Sequence, residues 1–312
     1  MKDRLNVHIF VTPDCNLKCR HCYSSDNKVR GDILSVQEIV DAIKILYNDY
    51  DVYFDIEGGE LFLRKDIIEL LKILDIPILG RITITTNGTI FPEIDAKILK
   101  ELDEFRVSIE GHTNELHSDI RGIGLEKILE NCKNWINKDV SVVVRMTLNK
   151  KNYKYLYDSF KAFYIMGFRR FSFYEFQNVG RGKEYKEEYE MSEAEMESVF
   201  EQLCDISVDY DNVDYIKLSL SSKRDRLVNR YYKKIVSSSF SMSDISNIPT
   251  LFINYNGEIG VCPWNIKDVI CHDFRKVDFQ AEVKSIVEMQ NGRHECEYCS
   301  SRRLFFEPEY RE

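Results

Sequence analysis

The sequence contains no long apolar run and no excess of positive charge. The N-terminal segment MKDRLNVHIFV has only a short apolar stretch before Thr12, too short for a secretory signal or a membrane span. Acidic residues outnumber basic ones by 52 to 43, and the net charge is −9 over 312 residues. A chain this acidic does not suit non-specific coating of nucleic acid. We therefore expect a cytoplasmic protein that binds neither nucleic acid nor a membrane.

Low-complexity linkers and a dinucleotide-binding glycine fingerprint are also absent. From Leu5 to Tyr210, six short β-rich runs alternate with segments of helical period, and Ser35 with Glu38 predicts a capping box at the first helix. This alternation predicts a parallel sheet of right-handed βαβ units. Six units without that fingerprint favour the α/β class and a partial (β/α)6 barrel.

The unusual residues of this region follow the first four predicted strands, as TPDC, EGGE, TTNG and SIEG. Sites in barrels lie at the carboxyl ends of the strands. We therefore expect these four segments to converge on one mouth.

The pattern changes after about residue 211. The run YIKLSLSS predicts one more strand, and LFINYNGEIGVCPW predicts two short strands joined at Asn256-Gly257 by a type I′ hairpin turn. We predict a barrel domain over residues 1–215. Residues 216–312 are predicted to form a bridging segment and a small extension of a β-hairpin and a helix.

The nine cysteines are grouped rather than scattered. In a reduced compartment such grouping argues for metal or redox chemistry and against disulfides. Cys132 and Cys204 stand alone on predicted helices, and we interpret them as small buried apolar residues. The remaining seven form an early and a late group: Cys15, Cys19 and Cys22, then Cys262, Cys271, Cys296 and Cys299.

The early group has the spacing C-x3-C-x2-C on a loop after a strand. Structural zinc sites usually close with four ligands, and electron-transfer iron–sulfur clusters also use four cysteines. Three thiolates leave one iron of a [4Fe–4S] cluster open to a substrate or cofactor. A zinc site completed by His21 or by a distant ligand is the alternative.

This triplet, followed by Tyr23, resembles the signature of the radical S-adenosylmethionine (SAM) enzymes, and the resemblance covers about residues 5–210. It implies that Cys15, Cys19 and Cys22 hold a [4Fe–4S] cluster whose open iron chelates SAM. It also implies that the reduced cluster splits SAM to give a 5′-deoxyadenosyl radical, which abstracts a hydrogen atom from the substrate. An electron donor such as ferredoxin or flavodoxin is implied as a partner.

The resemblance extends to SAM-binding positions at the strand ends. Glu60, in the GGE motif, would pair with the methionyl ammonium, and the glycines would allow close backbone approach. Arg121 resembles the arginine that meets the SAM carboxylate, with a solvated surface charge as the alternative. The positions so assigned are Tyr23 near the adenine, Gly58, Gly59, Glu60, Asn87, Ser108 and Arg121.

The late group resembles the SPASM and twitch extensions of the same superfamily, since Cys262 follows Gly257 with G-x4-C spacing and Cys296-x2-Cys299 comes later. No cysteine lies in MSDISNI before the hairpin or after Cys299. The resemblance therefore implies one auxiliary [4Fe–4S] cluster, nearer the twitch type. Cys271 is its fourth ligand, a thiol that donates a hydrogen atom to the substrate radical, or a core residue. A zinc site in the tail is the alternative for the whole group.

Members with such a tail mostly modify ribosomally made peptides, by crosslinking, epimerisation or oxidation. The resemblance therefore favours a peptide-maturing oxidoreductase with a precursor peptide as its partner, although we expect no N-terminal leader-binding domain. The aromatic and charged residues 168–190 and the basic residues 219–234 favour a peptide, with a solvated helix face as the alternative for the latter. A dehydrogenase or epimerase of a carbohydrate or aminoglycoside is the second hypothesis, and a non-catalytic metal scaffold the third.

Overall fold

A computed structural model describes residues 2–27, 32–74, 76–79, 81–210, 212–236, 240–244, 248–264, 269–290 and 302–308. The strands in these ranges are β1 (Arg4–Phe10), β2 (Asp51–Glu57), β3 (Ile82–Thr86), β4 (Glu104–Ser108), β5 (Val142–Leu148), β6 (Arg170–Glu175), β7 (Tyr215–Leu220), β8 (Phe240–Asp244), β9 (Thr250–Ile253), β10 (Ile259–Gly260), β11 (Val269–Cys271) and β12 (Arg302–Pro308).

The α-helices of the described residues are α1 (Val36–Asp49), α2 (Ile67–Ile73), α3 (Ile76–Leu79), α4 (Ala96–Lys100), α5 (Asn114–Arg121), α6 (Glu126–Ile136), α7 (Leu156–Ile165), α8 (Lys186–Tyr189), α9 (Glu193–Asp209), α10 (Asp225–Val236) and α11 (Phe279–Gln290). Helix α1 begins at the predicted capping box, in which the Ser35 hydroxyl accepts from the Glu38 backbone N–H and the Glu38 carboxylate accepts from Ser35. No helix in this part of the chain is long and apolar enough to cross a bilayer.

The described strands form a single sheet in the order β11-β10-β9-β1-β2-β3-β4-β5-β6-β7-β12-β8. Strands β1 to β7 lie side by side in chain order and pair in parallel. The predicted α/β partial barrel is therefore confirmed, with β7 as one further parallel strand. The division into domains at residues 215 and 216 stays a prediction.

Successive side chains on the parallel strands point to opposite faces of the sheet. On β2, Phe54 and Ile56 pack into the main hydrophobic cluster, to which helix α1 contributes Ile39 and Ile43. Each such buried aliphatic or aromatic side chain stabilises the fold by about 1.5–3 kcal/mol. The alternate side chain Asp55 points into the interior of the barrel. The polar face of these strands thus lines a cavity.

The C-terminal part continues the same sheet beyond β1, because β9 pairs with β1 in parallel and β10 returns antiparallel to β9. The predicted hairpin is present, but the prediction of a type I′ turn is wrong. Gly257 has φ +92°, whereas Asn256 is outside the left-handed region that type I′ requires at both central positions. The Asn254 carbonyl accepts from the Gly257 N–H at 2.9 Å, and the Asn254 N–H donates to the Glu258 carbonyl at 2.8 Å. The loop between these two residues therefore has three residues, and only the last of them, Gly257, needs a left-handed backbone.

Candidate active site

A cavity of about 300 Å³ lies at the carboxyl ends of β1 to β6. One wall is the cysteine loop, which we define as residues 12–24. The cavity brings together nine of the ten positions that the sequence assigns to the first cluster and to SAM: Cys15, Cys19, Cys22, Tyr23, Gly58, Gly59, Asn87, Ser108 and Arg121. Their convergence follows from the parallel topology, which carries every strand end to the same edge.

Each of the three thiols has a polar neighbour at hydrogen-bond distance. Cys15 Sγ accepts from the Leu17 backbone N–H at 3.4 Å, and Cys19 Sγ accepts from Arg121 Nη1 at 3.8 Å. Cys22 Sγ lies 3.6 Å from the Ser24 hydroxyl. Donors to sulfur stabilise thiolates and tune a bound cluster.

Without a metal, the environment disfavours the thiolate form at two of these cysteines. Burial raises the pKa of Cys15, and it raises the pKa of Cys19 to about 11, against the opposing effect of the Arg121 guanidinium. A cluster iron would supply the positive charge that these thiolates need.

The donor set fits an iron–sulfur cluster better than a zinc ion completed by His21. In the described ranges, no three His, Cys, Asp or Glu side chains converge around a single ion. His21 Nε2 instead lies 3.3 Å from the Glu110 carboxylate. In a cluster each thiolate binds a different iron, so the three sulfurs can stand apart around one cavity.

Arg121 is held in place by a fully buried carboxylate. Its Nε and Nη2 donate to Glu110 Oε1 at 2.9 and 2.6 Å, and the other Glu110 oxygen accepts from the Thr147 backbone N–H at 2.9 Å. Burial alone would raise the pKa of Glu110, but Arg121 and His21 hold it well below its usual range. Arg121 is only 7% exposed, so the alternative of a solvated surface charge is wrong.

The GGE glycines are required for packing against the cysteine loop. A Cβ on Gly59 would lie 2.1 Å from the Asp14 carbonyl oxygen, and one on Gly58 would lie 2.6 Å from that of Thr12. The Gly59 backbone N–H donates to Thr12 O at 2.8 Å, and the Glu60 backbone N–H donates to Asp14 O at 2.7 Å. The close approach predicted from the glycines is therefore made to the protein's own loop.

Glu60 does not line the cavity, which differs from its predicted place beside the SAM ammonium. It is fully buried, and its carboxylate accepts from Thr86 Oγ1 and the Asn87 backbone N–H, both at 2.7 Å, and from Phe62 N at 3.2 Å. Burial raises its pKa against these bonds. The side chain thereby fixes the turn that presents Asn87, whose amide lies 4.0 Å from Cys15 Sγ.

Tyr23 connects the cysteine loop to the C-terminal extension. Its ring meets the edge of Trp264 at 4.6 Å between centroids, and its hydroxyl donates to Glu57 Oε2 at 2.6 Å. Glu57 also bonds His8 Nδ1 at 2.6 Å. Burial opposes ionisation of Glu57, but the His8 contact, the Arg145 guanidinium and the Tyr23 hydroxyl lower its pKa to about 2.

The aromatic and charged residues 168–190 contribute a clamp on the cysteine loop. The Arg181 backbone N–H donates to Cys22 O at 3.0 Å, and Arg181 Nη1 donates to Cys19 O at 2.7 Å. Gly180, at φ +55°, packs so closely that a Cβ would lie 2.4 Å from Cys22 O. This part of the region supports the loop and borders the cavity.

The basic residues 219–234 are partly neutralised within the chain. Arg224 pairs with Glu175 at 2.8 Å, and Arg230 pairs with Glu197. Lys223 is exposed. The predicted leader contact therefore rests on fewer available charges than the sequence indicates.

The late cysteines differ from the early ones. Cys262 and Cys271 are both buried, and Cys271 belongs to the main hydrophobic cluster, opposite Ile259 on β10. Neither lines the 300 Å³ cavity. Cys296 and Cys299 lie outside the described residues. The auxiliary cluster and the three roles of Cys271 stay predictions.

Five lining or supporting residues were missed in the sequence: Glu57, Glu110, Arg145, Arg181 and Trp264. Glu110 stands inside the motif SIEG and Trp264 follows Cys262 in CPW, so each had a signal nearby. Glu57 likewise begins the segment EGGE, whereas Arg145 and Arg181 are single charged residues with no distinguishing spacing.

Residues 9–162 match the Radical SAM superfamily. This part of the chain, about half of its length, is therefore a radical SAM domain.

Two relatives illustrate the range of this superfamily. A probable GTP 3′,8-cyclase of Saccharolobus islandicus is 26% identical over 195 residues, which make up 61% of this chain and 63% of that one. AlbA of Bacillus subtilis, an antilisterial bacteriocin subtilosin biosynthesis protein, is 24% identical over 185 residues, 58% of this chain and 41% of its own. The chain thus spans less than two thirds of the length of these curated relatives.

Solved structures share the fold over almost the whole chain. Streptococcus suis SuiB bound to precursor peptide SuiA has a TM-score of 0.73 at 16% identity, covering 97% of this chain and 70% of SuiB. Native anSMEcpe with bound AdoMet has a TM-score of 0.61 at 18% identity, and the match covers 96% of this chain and 89% of anSMEcpe. At these identities the likeness concerns the fold.

Proposed function

We propose that this chain cleaves SAM reductively and uses the resulting radical to abstract a hydrogen atom from a ribosomally made peptide. The observation that carries the proposal is the single cavity lined by Cys15, Cys19 and Cys22 together with Asn87 and Arg121. Its donor set fits a [4Fe–4S] cluster, and it opens beside the interior of the barrel.

The three cysteines would hold the cluster, with an electron donor such as ferredoxin or flavodoxin as a partner. Bound there, the cluster would supply the electron that splits SAM into methionine and a 5′-deoxyadenosyl radical. Arg121 keeps a positive charge beside Cys19 and faces the space available to an anionic group of SAM. Tyr23 and Trp264 form an aromatic wall suited to a flat base.

The peptide as substrate is supported by the folds that this chain shares. SuiB has been solved with its precursor peptide, and anSMEcpe with AdoMet and the Kp18Cys peptide. AlbA, a relative by sequence, is a biosynthesis protein of a bacteriocin. Crosslinking, epimerisation and oxidation of a side chain all remain within this proposal.

One auxiliary [4Fe–4S] cluster in the C-terminal extension is part of the proposal, with Cys262, Cys296 and Cys299 as ligands. The contact of Trp264 with Tyr23 supports a functional link between this extension and the SAM cavity. The packing of Cys271 in the hydrophobic cluster, away from the cavity, favours a core residue over a hydrogen donor.

The test uses anaerobically reconstituted protein reduced with dithionite. We expect 5′-deoxyadenosine to form, and we expect a mass change in the peptide encoded by a small gene beside this one. SAM left intact in protein that carries a full cluster would contradict the proposal. Cleavage of SAM without modification of any neighbouring peptide would remove the peptide as substrate.

Cyclisation of GTP is a second candidate, favoured by relatives named as probable GTP 3′,8-cyclases. Incubation with GTP, SAM and dithionite, followed by mass spectrometry of the nucleotide, separates the two. A cyclic product from GTP, with the peptide unchanged, would favour the second candidate.

A further inference from the structure

A second cavity of about 90 Å³ lies inside the barrel, next to the first. Its walls come from β1, β2, β3, β6 and β7 among others, so it occupies the concave side of the sheet. Four residues line both cavities, and they mark the passage between them: Glu57, Arg145, Tyr174 and Trp264. A substrate in the second cavity would therefore lie beside SAM in the first.

Three carboxylates around this interior are satisfied by the protein itself. Asp55 accepts from Arg106 Nη1 at 2.7 Å, and Glu104 accepts from Arg106 Nε at 2.5 Å. Glu57 accepts from His8 at 2.6 Å. These three groups are therefore matched by donors of the chain, whereas Asp103, which also lines the cavity, is exposed to solvent.

Lys217 is also accounted for, since it pairs with Glu104 and its ammonium lies 5.3 Å from the centre of the Tyr215 ring. Two arginines and a lysine thus contribute to the wall of the interior, and two of the three are bound to carboxylates. The third is Arg145.

Arg145, on β5, is the cation of the passage that forms no ion pair in the part of the chain that the structure describes, although the Glu57 carboxylate is close enough to act on its charge. Its Nε is shielded from solvent and has no hydrogen-bond partner there. Its guanidinium stacks 4.6 Å from the centre of the Tyr174 ring. An unpaired guanidinium in a partly enclosed site is unfavourable, so a ligand that supplies acceptors to its terminal nitrogens is favoured.

Arg145 and Arg121 lie at different places in the site. Arg121 donates towards Cys19 Sγ, and its charge acts on the early thiols. Arg145 instead stacks on Tyr174, and both residues line the two cavities. Arg145 therefore lies at the passage, and no hydrogen bond joins it to a cysteine within the described residues.

We propose that Arg145, supported by the Tyr174 ring, binds a carboxylate of the substrate at the passage between the two cavities. The planar guanidinium matches a carboxylate in two parallel hydrogen bonds. A single cation beside Glu57 suits one negative charge better than a phosphate chain. This inference rests on the proposed peptide substrate, whose carboxylate is either an Asp or Glu side chain or a C-terminus.

The experiment measures binding of small probes by saturation-transfer NMR to reconstituted, SAM-loaded protein. N-acetylaspartate amide carries only a side-chain carboxylate, and N-acetylglycine carries only a terminal one. N-acetylasparagine amide and N-acetylglycinamide are the uncharged controls. We expect one charged probe to bind better than its control, which identifies the source of the carboxylate.

Arg145→Met should weaken the binding of that probe roughly 10-fold or more, because the variant loses a charge-assisted pair of hydrogen bonds. Arg145→Lys keeps the charge but lacks the two parallel N–H donors of a guanidinium, so its affinity for the probe should be intermediate. Arg169→Met is the matched control, because Arg169 also stacks on a tyrosine, 4.2 Å from the Tyr164 ring, outside both cavities. Arg169→Met should bind the probe as the wild type does.

Three results would overturn the inference: equal binding of charged and uncharged probes, equal affinity in wild type and Arg145→Met, or a larger loss of SAM affinity than of probe affinity in that variant. The last would place Arg145 in the SAM site. Tighter binding of GTP than of either carboxylate, lost in Arg145→Met, would assign the residue to a phosphate. Failure of the wild type to cleave SAM would contradict the proposed function alone, because probe binding is read out separately.

Discussion

The three early thiols and Cys271 lie in different surroundings. In the cysteine loop, all three sulfurs border one cavity. In the C-terminal extension, Cys271 packs among apolar side chains on the edge of the sheet and does not border that cavity. Spacing alone suggested ligands in both regions. The difference between the early thiols and Cys271 is therefore the shared cavity, which gives a cluster room to bind beside all three sulfurs.

The comparison is tested most severely by removing the three early thiols. Cys15→Ala, Cys19→Ala and Cys22→Ala together should abolish formation of 5′-deoxyadenosine and reduce the iron content from about eight to about four per chain. Cys204→Ala, on helix α9 and away from the cavity, is the control and should change neither quantity. Formation of 5′-deoxyadenosine by the triple variant would show that the cluster is held elsewhere.

The support beneath the cysteine loop is tested by Glu110→Gln. The change leaves Arg121 buried without its counter-charge, which should lower the free energy of unfolding by about 3–5 kcal/mol. Because the pKa of Glu110 is lowered in the fold, its contribution is present above the ordinary glutamate pKa and is lost as the pH falls below it. Urea titrations from pH 7 to pH 3 should show a weaker acid dependence in the variant. An unchanged acid dependence would mean that Glu110 is not ionised in the fold.

The contact between the GGE turn and the loop is tested by Gly59→Ala. The new methyl group would overlap the Asp14 carbonyl, so we expect a loss of about 3 kcal/mol and poorer iron loading. Gly122→Ala is the matched control, since a Cβ there meets open space and only the φ of +74° is unfavourable, by about 1 kcal/mol. Equal thermal stability and iron content in the two variants would contradict the packing role.

The smallest effect is expected at Cys271. As a core residue, Cys271→Ala should lower stability by about 1 kcal/mol and leave iron content and SAM cleavage unchanged. Loss of iron from the variant would make Cys271 the fourth ligand. Full iron content with loss of product, and with loss of solvent deuterium incorporation, would make it the hydrogen donor.

The parallel sheet and the convergence of the strand ends could be predicted because both follow from local pattern and chain order. The place of Glu60 could not be predicted, because its carboxylate bonds the turn at Asn87, which follows the next strand of the sheet. Arg145 could not be assigned either. A charged residue that alternates with apolar ones resembles a solvent-facing position, and only the curvature of the sheet turns that face inward.

The clamp of Arg181 on the cysteine loop has a consequence for biosynthesis. The three cysteines leave the ribosome early, yet Arg121 and Arg181, which bond Cys19, lie 102 and 162 positions further along the chain. Contacts this distant in sequence form late and slow the folding of a domain. A nascent chain would therefore expose three incompletely supported thiols until the sixth strand has been made, and an iron–sulfur cluster delivered earlier would find no finished place to bind.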